Sequence, residues 1–255
     1  MNPGRLSAAA VLRARRQLPP VGGSTAGPVP DWTLRCLPVC ASTERELAAG
    51  LPATACGLRA VLARRQRFGQ GQQGRSWESP AGGVWLSAAL PWPAGAAAAL
   101  PLAAAVGLAL ELEALGLPVH LKWPNDLLVR GHKIAGLLPR LRHGGEGLRW
   151  ARVGVGLNGR NRVPRGAISV GEALPAGRQA PPSAELAARV LRGLEWTAAH
   201  ALAPQRVWRE ARRRLLLSGE PMARAGELWR GVDLGPDGAL LLQHGERFRW
   251  ERRSF

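Results

Sequence analysis

Hydrophobic and polar positions divide the chain into segments with the spacing of strands and segments with the spacing of helices. Alternating or continuous apolar residues bounded by turn residues predict strands at residues 34–39, 58–66, 82–91 and 149–158, and on either side of the turn at 130–132. Helices are predicted at residues 100–116, 183–200 and 204–217. A short helix is predicted after Ser42 or Thr43, either of which can cap it, and Glu46 can complete a capping box with Thr43. This order predicts an α+β fold in which a mixed β-sheet carries helices on one side.

The two ends of the chain differ from its middle. The first thirty residues have no acidic side chain and are rich in Arg, Ala, Pro and Gly. We therefore expect residues 1–33 to be a disordered N-terminal extension, and an organellar transit peptide is the less favoured alternative. A catalytic domain is expected at 34–217. Tight-turn signals at 235–238 and 244–245 predict a small C-terminal β-barrel within residues 218–255.

Composition suits a globular chain of 255 residues, with 46% hydrophobic and 21% charged residues. The apolar stretch at 94–116 is interrupted by Pro101, Glu111 and Glu113, so it is expected to be a packed helix and not a membrane span. Cys36, Cys40 and Cys56 are too few for a disulfide framework. With no signal peptide in front of them, they predict reduced thiols and a cytoplasmic location.

The formal net charge of +17 raises the hypothesis of nucleic-acid binding. The arginines are scattered from end to end, however, without zinc-finger spacing or an aromatic RNA-binding motif. The residues before Leu34 are also too few for a DNA-binding winged helix. We therefore expect the charge to favour acidic partners in general, and nucleic acid is not an expected partner.

Lysine is rare in this chain, which has two lysines and 33 arginines. Both lysines, Lys122 and Lys133, lie in the segment HLKWPNDLLVRGHKIAGLL. Lysine is a compact point charge, whereas arginine is a wide planar fork, so a narrow anion site can admit the first and exclude the second. The alternative is that the two lysines lie on a solvated hairpin by chance and have no specific role.

Three polar loops carry candidate chemistry. The glycines of GQGQQGR at 69–75 allow the backbone to approach a ligand, although such loops are common. KWPND at 122–126 places a cation, an amide and a carboxylate at a strand end, which turn chemistry alone does not explain. GVGLN at 154–158 is a glycine-spaced strand that ends at Asn158. An ordinary role of Asn158 in a turn is as well supported as a role in the site.

These segments resemble a known family. GQGQQGRSWESPAGGVWLS, LKWPNDLLVRGHKIAGLL and VGVGLN are similar to the three signature segments of biotin protein ligases, and LWRGVDLGPDGALLLQ is similar to the core of their SH3-like C-terminal domain. The resemblance implies the fold shared by class II aminoacyl-tRNA synthetases and biotinyl/lipoyl ligases, without an N-terminal DNA-binding domain. It implies that ATP, biotin and Mg²⁺ give biotinyl-5′-adenylate. Biotin then passes to one lysine of a biotin carboxyl carrier protein, such as the acetyl-CoA carboxylase subunit. A homodimer is compatible with the family.

The resemblance also implies roles for individual residues. Those expected to act in catalysis are Lys133, Asp126 and Lys122, with Asp126 orienting or deprotonating the incoming lysine amine. Those expected to bind biotin are Ser42, Thr43, Gln66, Gln70, Gly71, Gln72 and Lys133. Those expected to bind the nucleotide are Arg75, Trp77, Asn125 and Asn158. No metal ligands are expected in the chain.

The chain departs from the family pattern at several positions. The family loop is GRGRRGR, and three of its arginines are here Gln70, Gln72 and Gln73, which predicts faster escape of the adenylate. Ala41 and Glu44 replace the family Asp and Asn beside Ser-Thr, and Ala167 stands where a well-known member of the family has a Trp that stacks on the adenine.

Two alternative functions stay open. One is a lipoate or octanoate ligase of the same fold, which the polar residues Gln66 and Ser42-Thr43 disfavour. The other is a biotin-dependent repressor.

Overall fold

The computed structural model describes residues 6–19, 21–22, 30–51, 57–144, 147–217 and 221–252. The helices are α1 (Ala8–Gln17), α2 (Thr43–Ala49), α3 (Leu100–Glu113), α4 (Val170–Ala173), α5 (Ser183–Ala199) and α6 (Pro204–Arg214). The first strands are β1 (Trp32–Leu37), β2 (Leu58–Ala63), β3 (Gly69–Gln70), β4 (Ser76–Trp77), β5 (Val84–Leu90), β6 (Val119–Lys122), β7 (Asp126–Val129), β8 (His132–Gly144) and β9 (Gly147–Leu157). The last strands are β10 (Met222–Arg224), β11 (Glu227–Leu234), β12 (Leu240–His244) and β13 (Arg247–Glu251). Short 3₁₀ turns lie at Gln72–Gly74 and Ala94–Ala99.

Seven strands form the main sheet, in the order β1-β2-β5-β9-β8-β7-β6. Strands β1 and β2 pair in parallel and the other neighbours are antiparallel, so the predicted mixed sheet is confirmed. Helices α3 and α5 pack on one face, against alternate strand residues such as Leu62, Leu86 and Val155. The short helix α2 lies on the opposite face, where Leu47 packs against Val61 and Trp150.

Helix α3 is the centre of the core. The helical stretch Gly95–Glu113 is long and apolar enough to span a membrane by length and composition, but 72% of it is buried inside the protein. It therefore has the surroundings of a core helix. Helix α3 also comes very close to α5, because a Cβ added at Gly107 would lie 2.1 Å from the carbonyl oxygen of Gly193.

The predicted disorder of the N-terminal extension is wrong for residues 8–17, which form helix α1 against α5. Ser7 caps the helix, and Val11 is fully buried. Arg15 Nε donates to Glu195 Oε1 at 2.7 Å, and Trp32 Nε1 donates to the same oxygen at 2.7 Å. Local composition did not reveal this helix because its partners are about 180 residues away in the chain. Residues 1–5, 20 and 23–29 lie outside the described residues.

The C-terminal residues form a four-stranded antiparallel sheet, in the order β10-β11-β12-β13. Trp229 and Leu242 are buried at its centre. Among the described strands, β10 and β13 do not pair with each other, so the predicted closed barrel is not confirmed. Trp123 Nε1 donates to the Gly238 carbonyl at 3.0 Å and thereby ties this sheet to the turn after β6. The division into domains at 34–217 and 218–255 stays a prediction.

Cys36 and Cys40 are free thiols. Burial raises the pKa of Cys36 to about 11 and also raises the pKa of Cys40. A reactive thiolate is therefore disfavoured at both positions. Cys56 lies outside the described residues.

Candidate active site

A cleft lies on the sheet face that carries α2, where Ser87, Gly154 and Gly156 alternate with core residues. Most of the residues selected from the sequence line this cleft together. They are Ser42, Thr43, Gln66, Gln70, Gly71, Gln72, Arg75, Trp77, Asn125, Asp126 and Lys133. Strand ends and loops that are distant in the chain thus deliver their polar side chains to one volume.

The floor of the cleft requires glycine. A Cβ at Gly156 would lie 2.5 Å from Trp77 Cε2, and a Cβ at Gly136 would lie 2.8 Å from Trp77 Cζ3. The absence of side chains at these positions lets the Trp77 indole lie close to strands β8 and β9. Lys133 Nζ is 4.9 Å from the Trp77 ring centroid, within cation–π range. Trp77 is therefore both a wall of the cleft and a neighbour of its cation.

A chain of hydrogen bonds forms one end of the cleft. Gln66 Oε1 accepts from Thr43 N at 2.7 Å and from Thr43 Oγ1 at 3.0 Å. Gln66 Nε2 donates to Ser79 Oγ at 2.8 Å, and Thr43 Oγ1 lies 2.9 Å from Ser87 Oγ. Sequence reasoning missed Ser79 and Ser87. A serine inside the apolar run VWLSAAL was the signal that could have found Ser87.

The start of α2 differs from the predicted capping box. Ser42 is the N-cap residue, its side chain makes no capping hydrogen bond, and Thr43 is the first helical residue. Glu46 forms an ion pair with Arg35 instead. Ser42 and Thr43 are both buried and line the cleft, and the Thr43 hydroxyl bonds to Gln66 and Ser87 instead of capping the helix.

An ion pair forms the other end of the cleft. Lys133 Nζ lies 2.7 Å from Asp126 Oδ2, and both side chains keep part of their surface exposed. The backbone of Lys133 is held from the opposite side, because its N–H donates to Gly166 O at 3.1 Å and its carbonyl accepts from Ile168 N at 3.0 Å. This pairing also places Ala167 beside Lys133. The cation therefore projects from a fixed backbone toward open space.

Asn125 locks the turn that precedes Asp126. Its backbone carbonyl accepts from Leu137 N at 3.0 Å, and its side-chain amide donates to the Leu137 carbonyl. Asn125 is 6% exposed and still lines the cleft. The turn that carries Asp126 is thus fixed to strand β8.

Two of the selected residues are not brought into the cleft. Lys122 is exposed at the end of β6, in register with Asp126, and is not among the residues that line the cleft. Asn158 is buried; its side-chain N–H donates to the Lys133 carbonyl at 3.3 Å, and its side-chain oxygen accepts from Asn161 at 3.3 Å. Within the described part of the chain, Asn158 supports the backbone of Lys133 and does not line the cleft.

The cleft also contains the carboxylate of Glu44, which the sequence marked as a departure from the family pattern but to which it assigned no role. Glu44 follows Thr43, lines the cleft and is 9% exposed. Neither of its carboxylate oxygens makes a hydrogen bond within the described residues. Arg152 Nη1 lies 3.4 Å from Oε1, close enough for an ion pair but without the alignment of a hydrogen bond. Arg152 Nε is likewise buried without a hydrogen-bond partner among the described residues.

Comparison with known proteins gives a consistent result. Residues 39–158 match the model of the biotin/lipoate A/B protein ligase family. A biotin–[acetyl-CoA-carboxylase] ligase of Paracoccus denitrificans is 38% identical over 140 residues, which cover 52% of this chain and 56% of that protein. The bifunctional ligase/repressor BirA of Escherichia coli is 35% identical over 119 residues, covering 45% of this chain and 37% of that protein. The matched regions thus span about a third to just over half of these curated relatives.

Solved structures share the fold over most of the chain. A single-residue mutant of the biotin protein ligase from Aquifex aeolicus, in complex with biotin, superimposes with a TM-score of 0.69 at 23% identity, covering 87% of this chain and 98% of that one. The Aquifex aeolicus enzyme in complex with biotin and ATP gives a TM-score of 0.64 at 23% identity, covering 86% and 94%.

Proposed function

We propose that this chain, which contains a biotin/lipoate A/B protein ligase domain at residues 39–158, activates biotin with ATP and transfers it to a lysine of a carrier protein. In the first step the biotin carboxylate attacks the α-phosphorus of ATP, which forms an acyl–phosphate bond and releases pyrophosphate. In the second step a lysine amine attacks the acyl carbon, loses a proton and releases AMP. The proposal rests on one observation above all: the hydroxyl and amide groups of Ser42, Thr43 and Gln66 line the same cleft as Lys133.

The polar end suits the ureido ring of biotin. Ser42, Thr43 and Gln66 are buried or half-buried there among hydrogen-bonding neighbours. Thr43 and Gln66 already bond to each other and to Ser87 and Ser79; a ureido ring could extend this network with further hydrogen bonds, whereas methylene groups could not. The dithiolane of lipoate and the alkyl chain of octanoate are poorer matches to this end.

Lys133 suits the junction between carboxylate and phosphate. The reaction brings two anions together, and a fixed cation stabilises the charge that develops between them. In the ligand-free cleft this ammonium is paired with Asp126. An incoming acyl phosphate would compete for Lys133 and leave the Asp126 carboxylate available to orient the attacking amine, whose reference pKa is about 10.4.

The nucleotide would lie beside Arg75 and Trp77, in the part of the cleft formed by the glutamine-rich loop. The described residues contain no group of three or more His, Cys, Asp or Glu side chains that could hold a metal ion. We therefore expect Mg²⁺ to bind together with ATP, coordinated by its phosphate groups, as is common for this ion.

We expect the protein substrate to be a domain that presents one lysine side chain to the open mouth of the cleft. A biotin carboxyl carrier protein of acetyl-CoA carboxylase is the expected example, given the name of the Paracoccus denitrificans relative. A homodimer and a cytoplasmic location stay predictions of the sequence.

Mass spectrometry of the products tests the proposal. The purified protein is incubated with Mg-ATP and, in separate reactions, biotin, lipoate or octanoate, with omission of ATP as the control. We expect biotinyl-adenylate and pyrophosphate in the biotin reaction alone. Lipoyl- or octanoyl-adenylate would assign the chain to the related ligases, and the absence of any adenylate would refute carboxylate activation.

A further inference from the structure

The buried carboxylate of Glu44 has surroundings that call for a ligand. Both of its oxygens are inaccessible to solvent and make no hydrogen bond to the described residues, although the side chain lines the cleft. A buried charged acceptor without donors is costly, and native proteins keep one only where a structural or functional partner satisfies it. Arg152 supplies positive charge at 3.4 Å but no aligned donor.

The side-chain oxygen of Gln66, a residue that the sequence predicts to bind biotin, already accepts two hydrogen bonds within the protein. A carbonyl oxygen has two lone pairs, and Gln66 Oε1 accepts two hydrogen bonds, both from Thr43. One of these donors is the backbone N–H at the start of α2, which cannot turn away without unwinding the helix. Gln66 is therefore a poor acceptor for a further N–H group, and it would contribute its remaining amide hydrogen as a donor.

We propose that Glu44 is the residue that accepts the ureido N–H groups of biotin and thereby selects biotin over acids without such donors. The inference rests on the proposed function and assigns the acceptor within the same cleft. Glu44 directly follows Thr43 on α2 and lines the same cleft as Thr43 and Gln66.

The chemistry of the ligands supports this assignment. The ureido ring of biotin has two N–H donors and one carbonyl acceptor, so it needs acceptors as well as donors in the protein. A hydrogen bond to an ionised acceptor is stronger than one between neutral groups. Lipoate and octanoate carry no N–H donor and would leave the buried carboxylate unsatisfied. Arg152 keeps the negative charge of Glu44 compensated in the absence of ligand, as buried charges require.

Isothermal titration calorimetry with biotin in the absence of ATP tests the inference. We expect Glu44→Gln to weaken biotin binding about 10-fold and Glu44→Met to weaken it about 100-fold, since the second variant removes every acceptor. Glu46→Gln is the matched control, because Glu46 lies on the same helix, pairs with Arg35 and is not among the residues that line the cleft. The control should bind biotin as the wild type does.

Thermal unfolding of the ligand-free proteins separates recognition from a structural role. Glu44→Gln leaves the Arg152 guanidinium without its ion-pair partner, so its ligand-free midpoint should fall, and the double variant Glu44→Gln/Arg152→Gln, which removes both charges, should regain it. Unchanged biotin affinity in both Glu44 variants would overturn the inference, and so would wild-type biotin affinity in the double variant. A wild-type protein that binds no biotin would overturn the proposed function as well. Wild-type formation of biotinyl-adenylate with unaffected Glu44 variants would overturn the inference alone.

Discussion

At the scale of the residue, Lys133 lies between a carboxylate and an aromatic ring that both line the cleft. Its ammonium lies between the Asp126 carboxylate at 2.7 Å and the face of Trp77 at 4.9 Å. A Cβ at Gly136 would come within 3.2 Å of Lys133 Cε, so the glycine leaves room for the lysine stem. A planar guanidinium is wider than an ammonium, so we expect arginine at this position to displace Asp126 or Trp77 from its place beside the cation.

We therefore expect Lys133→Arg to fold normally and to lose most biotin adenylation, by about 100-fold or more. Adenylate formation is measured by mass spectrometry, and folding by the thermal midpoint. Glu46→Gln is the comparison, because Glu46 pairs with Arg35, is not among the residues that line the cleft, and should keep the activity when replaced. Full activity of Lys133→Arg would refute the steric argument.

The glutamine-rich loop gives a second prediction at this scale. Gln72 lines the cleft, whereas the neighbouring Gln73 is exposed and does not. A guanidinium at position 72 could make charge-assisted hydrogen bonds to the adenylate phosphate, so Gln72→Arg should slow escape of the intermediate about 10-fold or more. Trapping of released adenylate with hydroxylamine measures the escape. Gln73→Arg should leave it unchanged, and equal release from all three proteins would count against the role of the loop.

At the scale of the element, the closest packing in the core is the crossing of α3 and α5. Gly107 and Gly193 face each other there, and Thr197 Oγ1 donates to the Gly193 carbonyl at 2.8 Å. The backbones approach so closely that a side chain of any size would have to push the helices apart. The contact holds α3 and α5 together as the helical layer that packs against the main sheet.

Gly107→Ala should accordingly lower the free energy of unfolding by about 1–3 kcal/mol, despite the better helix propensity of alanine. Chemical denaturation measures this change. Gly95→Ala is the control, since nothing lies within 4 Å of a Cβ added there. A neutral effect of Gly107→Ala would show that the two helices can separate at little cost.

The same helix pair contains a pH-sensitive group. Glu111 is fully buried between α3 and α5, and burial raises its pKa from 4.5 to about 7 although Arg192 and Arg189 oppose the shift. The folded state therefore binds this proton more tightly than the unfolded state does. The stability gained by binding this proton in the folded state is fully present below about pH 4.5 and is lost as the pH rises through about 7.

We expect the free energy of unfolding of the wild type to fall relative to that of Glu111→Gln between pH 4.5 and pH 7, by about 3 kcal/mol at most. Denaturant titrations of both proteins at several pH values measure the difference. A difference that stays constant across this window would mean that the carboxyl group keeps an ordinary pKa in the folded protein.

At the scale of the whole molecule, much of the arginine is engaged within the fold. Arg214 pairs with Glu113 and Glu210, and Arg212 pairs with Asp233, which ties α6 to its neighbours. The excess of positive charge nevertheless remains large, at +17 for the chain. Such a charge attracts polyanions without reading their sequence.

Binding to duplex DNA should therefore be weak, with a Kd of about 10⁻⁶ M or higher at physiological salt, and should weaken steeply as salt increases. Filter binding at several salt concentrations with unrelated duplexes measures this. Tight, sequence-selective binding would support the repressor alternative that the BirA relatives exemplify.

The sequence by itself determined the periodic elements of the main sheet and most of the residues that line the cleft, because strand periods and polar turns are local properties of the chain. It could not determine what depends on distant partners. Helix α1 is held where Arg15 meets Glu195, and Asn158 supports Lys133 because β9 ends beside the start of β8. The burial of Glu44 beside an occupied Gln66 is likewise a product of packing. Only the tertiary structure decides which side chains share one volume, since that depends on strand register and helix position, whereas local pattern specifies only which face each side chain takes.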